Sequence, residues 1–189
     1  RFLFLTLYFQ SPIIFQQLGR KVKEFVQSRA LDSVEEDEII KKRRVELVAF
    51  CIMPNHFHLI VKELDEGGIA AYMQRVLTSY SKYYNTKYEK SGHVFQGPYQ
   101  AVHVEDNRQL LHLSAYIHRN PREISKWFNK EEQYPWSSYQ DFIGENRWGN
   151  LIMLDIIIGQ FKDKAEYENF VKTSPAKIKE EELEYLAEL

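Results

Sequence analysis

Two apolar runs, residues 45–52 and 57–61, separated only by Met53-Pro54-Asn55-His56, constrain this chain more than any other stretch. Proline presets a turn φ and asparagine tolerates turn geometry, so the runs are expected to pair as adjacent strands closed by a tight connection. His56 and His58 are two positions apart, so on a strand both imidazoles project from one face while Phe57 projects from the other. Such a pair can bind one divalent ion from a rigid platform, with Phe57 anchoring the strand. The same pair also suits a solvated or hydrogen-bonded face.

A second element bears on that choice. Leu110-Leu-His-Leu-Ser-Ala-Tyr-Ile-His-Arg-Asn-Pro121 reads as a helix ended by its proline. Tyr116 and Asn120 then lie four apart, on one face and one turn from each other, so a phenol and an amide oxygen can approach a shared ion. His118 is two residues from Tyr116 and points to another face, which suits a structural role better than ligation.

The remaining chain supplies the frame. Residues 2–9, Phe-Leu-Phe-Leu-Thr-Leu-Tyr-Phe, are β-rich and continuous enough for a central strand covered on both faces. Apolar residues at Phe15, Leu18, Val22, Phe25 and Val26 predict a helix from Phe15 to about Arg29. Residues 32–44 are charge-dense, either a helical extension or a mobile connection. Beyond Asp65-Glu-Gly-Gly68, a long helix over 69–88 presents Met73, Val76, Leu77, Tyr80 and Tyr84 inward. Residues 94–105 have strand character interrupted at Gly97-Pro98, and Asp106 or Asn107 can cap the helix that carries Tyr116. The expected fold class is therefore α+β: a ferredoxin-like or RNA-recognition-motif-like antiparallel sheet with helices on one face. Tyr134-Pro-Trp-Ser-Ser-Tyr139 is expected to pack on the core, Trp136 included. Short helices over 151–161 and 165–171 and an acidic tail after Ser174-Pro175 make a helical C-terminal extension.

Composition narrows the class. With 44% apolar and 28% charged residues the chain reads as soluble and globular. Cys51 is the single cysteine and cannot form an intrachain disulfide, which fits a reducing, cytoplasmic setting. No apolar run is long enough for a membrane span, and a start at Arg suggests that the native beginning is missing. Net charge is −2, but from Lys179 onward one lysine faces five glutamates, leaving a slightly positive balance on residues 1–178.

Four blocks in order carry a family likeness: Met53-Pro-Asn-His-Phe-His-Leu-Ile-Val61, Gly92-His-Val-Phe-Gln-Gly97, Tyr116-Ile-His-Arg-Asn-Pro121 and Tyr134-Pro-Trp-Ser-Ser-Tyr139. Together they resemble the insertion-sequence single-tyrosine transposases, known by their His-hydrophobic-His motif, and most of all the branch associated with repetitive extragenic palindromes. The resemblance runs from about residue 2 to 144. It implies a transposase domain over 1–144 followed by the extension over 145–189.

The resemblance implies the same ferredoxin-like fold and a DNA strand-transfer chemistry. Tyr116 would attack phosphorus to give a 5′-phosphotyrosyl intermediate and a free 3′-hydroxyl. His56, His58 and Asn120 would hold Mg²⁺ or Mn²⁺, and such a donor set would also accept Zn²⁺ or Ni²⁺. The partner would be single-stranded or hairpin DNA, handled by a monomer or homodimer, with Arg119, Arg122, Lys82 and His118 as candidate DNA contacts. Pro98 stands where the family usually has a basic residue, which removes one expected contact. Two other readings remain: a catalytically silent nucleic-acid-binding regulator with the same fold, and a histidine-pair nuclease of the replication-initiator or relaxase kind.

Overall fold

The computed structural model describes residues 1–14, 16–28 and 32–174. The α+β class holds: the chain combines helices with a two-stranded antiparallel sheet, β1 (Val45–Ile52) paired with β2 (Phe57–Glu63). The expected hairpin closes where Met53 N–H donates to His56 O at 2.8 Å. Every β1 residue up to Cys51 is buried, which is why the strand is a continuous apolar run rather than an alternation. Glu46 is tolerated there because its carboxylate meets Arg43 Nη2 at 2.5 Å and Lys62 Nζ at 3.1 Å.

The chain divides into two compact units. The first comprises Arg1–Leu47, Val61–Tyr99 and Trp148–Ile152. Its opening element corrects the expectation of a central strand: Phe2–Tyr8 is an α-helix, α1, with all seven residues buried. A wholly apolar run has no period by which helix and strand can be told apart. A helix buries every face while satisfying its own backbone, and Phe9 N–H donates to Leu5 O at 3.0 Å. Thr6 fits this setting because its hydroxyl bonds Phe2 O and its carbonyl accepts from Tyr72 Oη at 2.8 Å. Next come α2 (Leu18–Ser28) and α3 (Ser33–Lys41). The sequence placed the ends of α2 at Phe15 and Arg29, which lie outside the described residues. Asp32 caps α3 by accepting from Val34 N at 3.0 Å, so the charge-dense stretch is largely helical.

Helix α4 (Gly68–Tyr88) starts at a close approach. Gly67 adopts φ +73, and a Cβ on Gly68 would stand 2.7 Å from Arg44 O, so both glycines are required where β2 turns into the helix. At the far end, Asn85 O accepts from Glu89 N and from Lys90 N at 2.9 Å, and Asn85 Nδ2 donates to Gly92 O at 3.0 Å. Phe95 then returns to α4, its ring 6.0 Å from Tyr80. The expected strand over 94–105 is corrected: these residues form no strand. Pro98 lacks a ladder donor, and residues 100–103 are exposed, leaving no face to bury.

The second unit comprises Val48–Ile60, Gln100–Arg147 and Met153–Leu189. Its central helix, α5 (Asn107–Arg119), is capped by Asp106, which accepts from Gln109 N at 2.7 Å. Pro121 takes the chain into a short 3-10 turn, Asn120–Glu123. Residues 134–138 lie along β1: Ile52 N–H donates to Trp136 O at 2.8 Å, Ser138 N–H to Phe50 O at 2.9 Å, and Cys51 bridges antiparallel to Ser137. This single bridge and the hairpin are the sheet that forms among the described residues, in place of the larger ferredoxin-like one. Helices α6 (Tyr139–Ile143), α7 (Asp155–Ile158) and α8 (Lys164–Thr173) complete the unit. The buried Asp141 carboxylate receives Arg147 Nε at 2.8 Å and Nη2 at 2.7 Å. The acidic tail expected after Ser174 lies outside the described residues. Among those described, no helix is long and apolar enough to cross a membrane.

Candidate functional site

The hairpin delivers His56 at its turn and His58 one pleat along β2, and their rings are 5.0 Å apart between centroids. Helix α5 delivers Tyr116, whose ring centre lies 5.4 Å from that of His58 at 75°. One turn later Asn120 places Oδ1 3.5 Å from His56 Nε2. The four side chains therefore meet within the second unit, as strand spacing of two and helix spacing of four require.

Their hydrogen bonds orient the donors. Asn120 Nδ2 donates to Tyr116 O at 3.1 Å, so Oδ1 is the atom turned toward the histidines. On the other side, His56 Nδ1 lies 2.8 Å from Asn55 Oδ1. An amide oxygen only accepts, so in the neutral ring Nδ1 carries the proton and Nε2 presents its lone pair toward the Asn120 oxygen. Two lone pairs aimed at each other repel until a cation lies between them. Burial, then the neighbouring His56, push the His58 pKa down to about 4 against a hydrogen bond that the ring donates to Asn120, so that ring is neutral at pH 7. In that tautomer His56 Nε2, with the His58 ring and one amide oxygen, fits a divalent cation that retains open positions. Among the described residues no three His, Cys, Asp or Glu side chains cluster as a metal site, so an ion here depends on the amide as third donor.

His118 is corrected from a candidate DNA contact to an interior residue. It is 0% exposed, and no phosphate or base can reach it. Nδ1 lies 2.7 Å from Tyr167 Oη and Nε2 2.9 Å from Ser138 Oγ. Ser138 Oγ in turn accepts from Phe50 N–H at 2.9 Å. A hydrogen-bonded chain thus runs from α8 through α5 to β1, tying the helix of Tyr116 and Asn120 to the hairpin of His56 and His58. Burial drives the His118 pKa down to about 3, so the link is made by the neutral ring.

The candidate basic contacts divide. Arg122 lies 3.5 Å from Glu131 and packs over Phe128, so much of its charge is already engaged. Arg119 is half-buried, with a buried Nη1 that has no hydrogen-bond partner. Lys82 is exposed on α4 and belongs to the first unit.

Sequence reasoning missed three supporting residues. Asn55 was legible only as a turn former, although its place beside His56 was a usable signal. Ser138 sits in the Tyr134–Tyr139 block, whose expected packing role hides its polar one. Tyr167, on α8, has no local signal at all: its link to His118 spans 49 positions.

Comparison with known proteins adds one match. Residues 20–120, more than half of the chain, match the family described as Transposase IS200 like. No curated protein and no solved structure matches.

Proposed function

Because this chain belongs to the IS200-like transposase family, we propose that it cleaves and rejoins single-stranded, hairpin-bearing DNA through a covalent bond to Tyr116. The family acts on DNA, and the convergence of Tyr116 with His56, His58 and Asn120 carries the finer reading. A protein that only bound DNA would need neither the phenol nor the oriented lone pairs beside it.

In the proposed step the Tyr116 oxygen attacks phosphorus in line with the 3′-oxygen. The new phenolic O–P bond forms as the P–O3′ bond breaks. The phenol loses its proton and the departing 3′-oxygen gains one, so the products are a 5′-phosphotyrosine and a free 3′-hydroxyl. Attack by a 3′-hydroxyl reverses the step and rejoins the strand. His56 Nε2, His58 and Asn120 Oδ1 would hold Mg²⁺ or Mn²⁺, which when bound supplies Lewis-acid stabilisation of charge on the phosphate. Asn55 keeps His56 in the tautomer that this requires. His118 holds α5 against the hairpin.

The experiment is incubation with a divalent salt and a single-stranded oligonucleotide containing the hairpin selected by the protein, followed by denaturing electrophoresis. The expected product is a protein–DNA band resistant to denaturation. Tight binding with no such band would instead identify a silent regulator.

A further inference from the structure

The first unit carries a surface that this chemistry does not use. Toward its C-terminal end α4 presents Tyr80, Tyr83, Tyr84 and Tyr88, with the Tyr84 and Tyr88 rings 4.7 Å apart. Lysines lie over the outer rings: Lys87 Nζ is 5.6 Å from the Tyr83 centre and 5.1 Å from that of Tyr88, and Lys90 Nζ is 5.9 Å from that of Tyr84. Tyr88 is 51% exposed, a large ring left in water. Grooves of about 450 and 350 Å³ flank this end of the helix, and the exposed Lys82 lines both. The second groove is walled by residues 92–95, which Asn85 holds back onto α4. Between residues 80 and 97 three lysines face one acid, Glu89, on a chain whose net charge is −2.

Interleaved cations and ring faces are what a flexible strand with unpaired bases requires. Phosphates take the charges and bases stack on the rings, whereas duplex readers aim side chains at base edges in a groove. We propose that this face of α4 is a docking surface for single-stranded DNA, with Lys82, Lys87 and Lys90 on phosphates and Tyr88 as a stacking platform. The inference rests on the DNA-processing reading above, and it adds a binding surface outside the unit that holds Tyr116.

The test is fluorescence anisotropy of the full chain, in a Tyr116→Phe background that removes covalent chemistry. The probe is a labelled, hairpin-free oligothymidylate of about 16 nucleotides. Combined Lys82→Ala, Lys87→Ala and Lys90→Ala should weaken binding and flatten the dependence of log affinity on log salt by about 2, since each phosphate contact on a single strand contributes about 0.7. Tyr88→Ala should weaken binding by about tenfold with the slope unchanged. An equal loss of charge at the exposed Lys23, Lys41 and Lys162 should leave the slope intact, and thermal melts should show all variants folded. The surface is overturned if the α4 variants bind as the parent does, if the scattered variants lose as much slope, if duplex competes as well as single strand, or if the parent does not bind the probe. Covalent adduct formation on a hairpin oligonucleotide by the chain retaining Tyr116 is scored separately. Adduct with indifferent lysines sinks this surface alone, and lysine-dependent binding without adduct sinks the phosphotyrosine reading alone.

Discussion

Asn120 Oδ1 stands 3.5 Å from His56 Nε2 while Asn55 Oδ1 holds the opposite ring nitrogen at 2.8 Å. The outer partner fixes the tautomer, and the inner pair is electron-rich as a result. Mn²⁺ binding, followed by calorimetry or electron paramagnetic resonance, should therefore be lost in His58→Ala and Asn120→Ala. Asn55→Ala should weaken it by about 10- to 100-fold, the usual effect of removing a group that orients a ligand. Full-strength binding in Asn55→Ala would show that the tautomer is set some other way. Chelation of divalent ions should abolish the covalent adduct and leave DNA binding in place.

Tyr116→Phe should form no adduct and keep its melting temperature, because the half-buried ring remains to pack near His58. An adduct in this variant, mapped by mass spectrometry of the cross-linked peptide, would move the nucleophile to another residue.

The rings of His58 and Tyr116 lie 5.4 Å apart within one chain. A mixture of His58→Ala and Tyr116→Phe proteins should accordingly remain inactive, since neither variant holds a complete site. Recovery of adduct to about a quarter or more of the parent level would mean that the tyrosine serves a partner's histidines.

His118 ties stability to pH. Its folded pKa of about 3 lies below the ordinary 6.5, so between those values the unfolded chain binds more protons than the folded one. Stability from this group is complete above pH 6.5 and falls as pH drops, by about 2 kcal/mol at pH 5. Denaturant melts over this range should show a slope to which His118 and His58, whose folded pKa is also depressed, both contribute, and His118→Phe should lose the His118 share. The same substitution takes one hydrogen-bond partner each from Ser138, which keeps Phe50, and Tyr167, which keeps Ser114, at a cost of about 1–3 kcal/mol at neutral pH. A variant as stable as the parent would show that the link from α8 to β1 bears no weight.

The hairpin was legible because its signals are local and agree: two apolar runs, a Pro-Asn turn, and histidines whose spacing fixes their common face. Helix α5 was legible for the same reason, from an Asp106 cap to a Pro121 stop, with Tyr116 and Asn120 necessarily one turn apart. The long helix α4 was equally plain from its inward stripe and the glycine pair before it.

Residues 2–8 and 94–105 were not legible. The first run is apolar at nearly every position, so either a helix or a buried strand would satisfy its composition, and only the surroundings of Tyr72 and the rest of α4 select the helix. The second has strand-like residues but no strand to pair with, and propensity without a partner forms no ladder.

By itself the sequence determined which chemical groups this protein can bring to one site, since periods of two and four residues follow from strand and helix geometry alone. Tertiary structure decided that those groups meet, and which way their atoms face. The orientation of Asn120 depends on a backbone carbonyl, the tautomer of His56 on a neighbouring amide, and the seating of α5 on a buried histidine linked to a tyrosine 49 positions away. Hydrogen bonds of that span leave no trace in local spacing, because they are set by which surfaces the folded chain buries together.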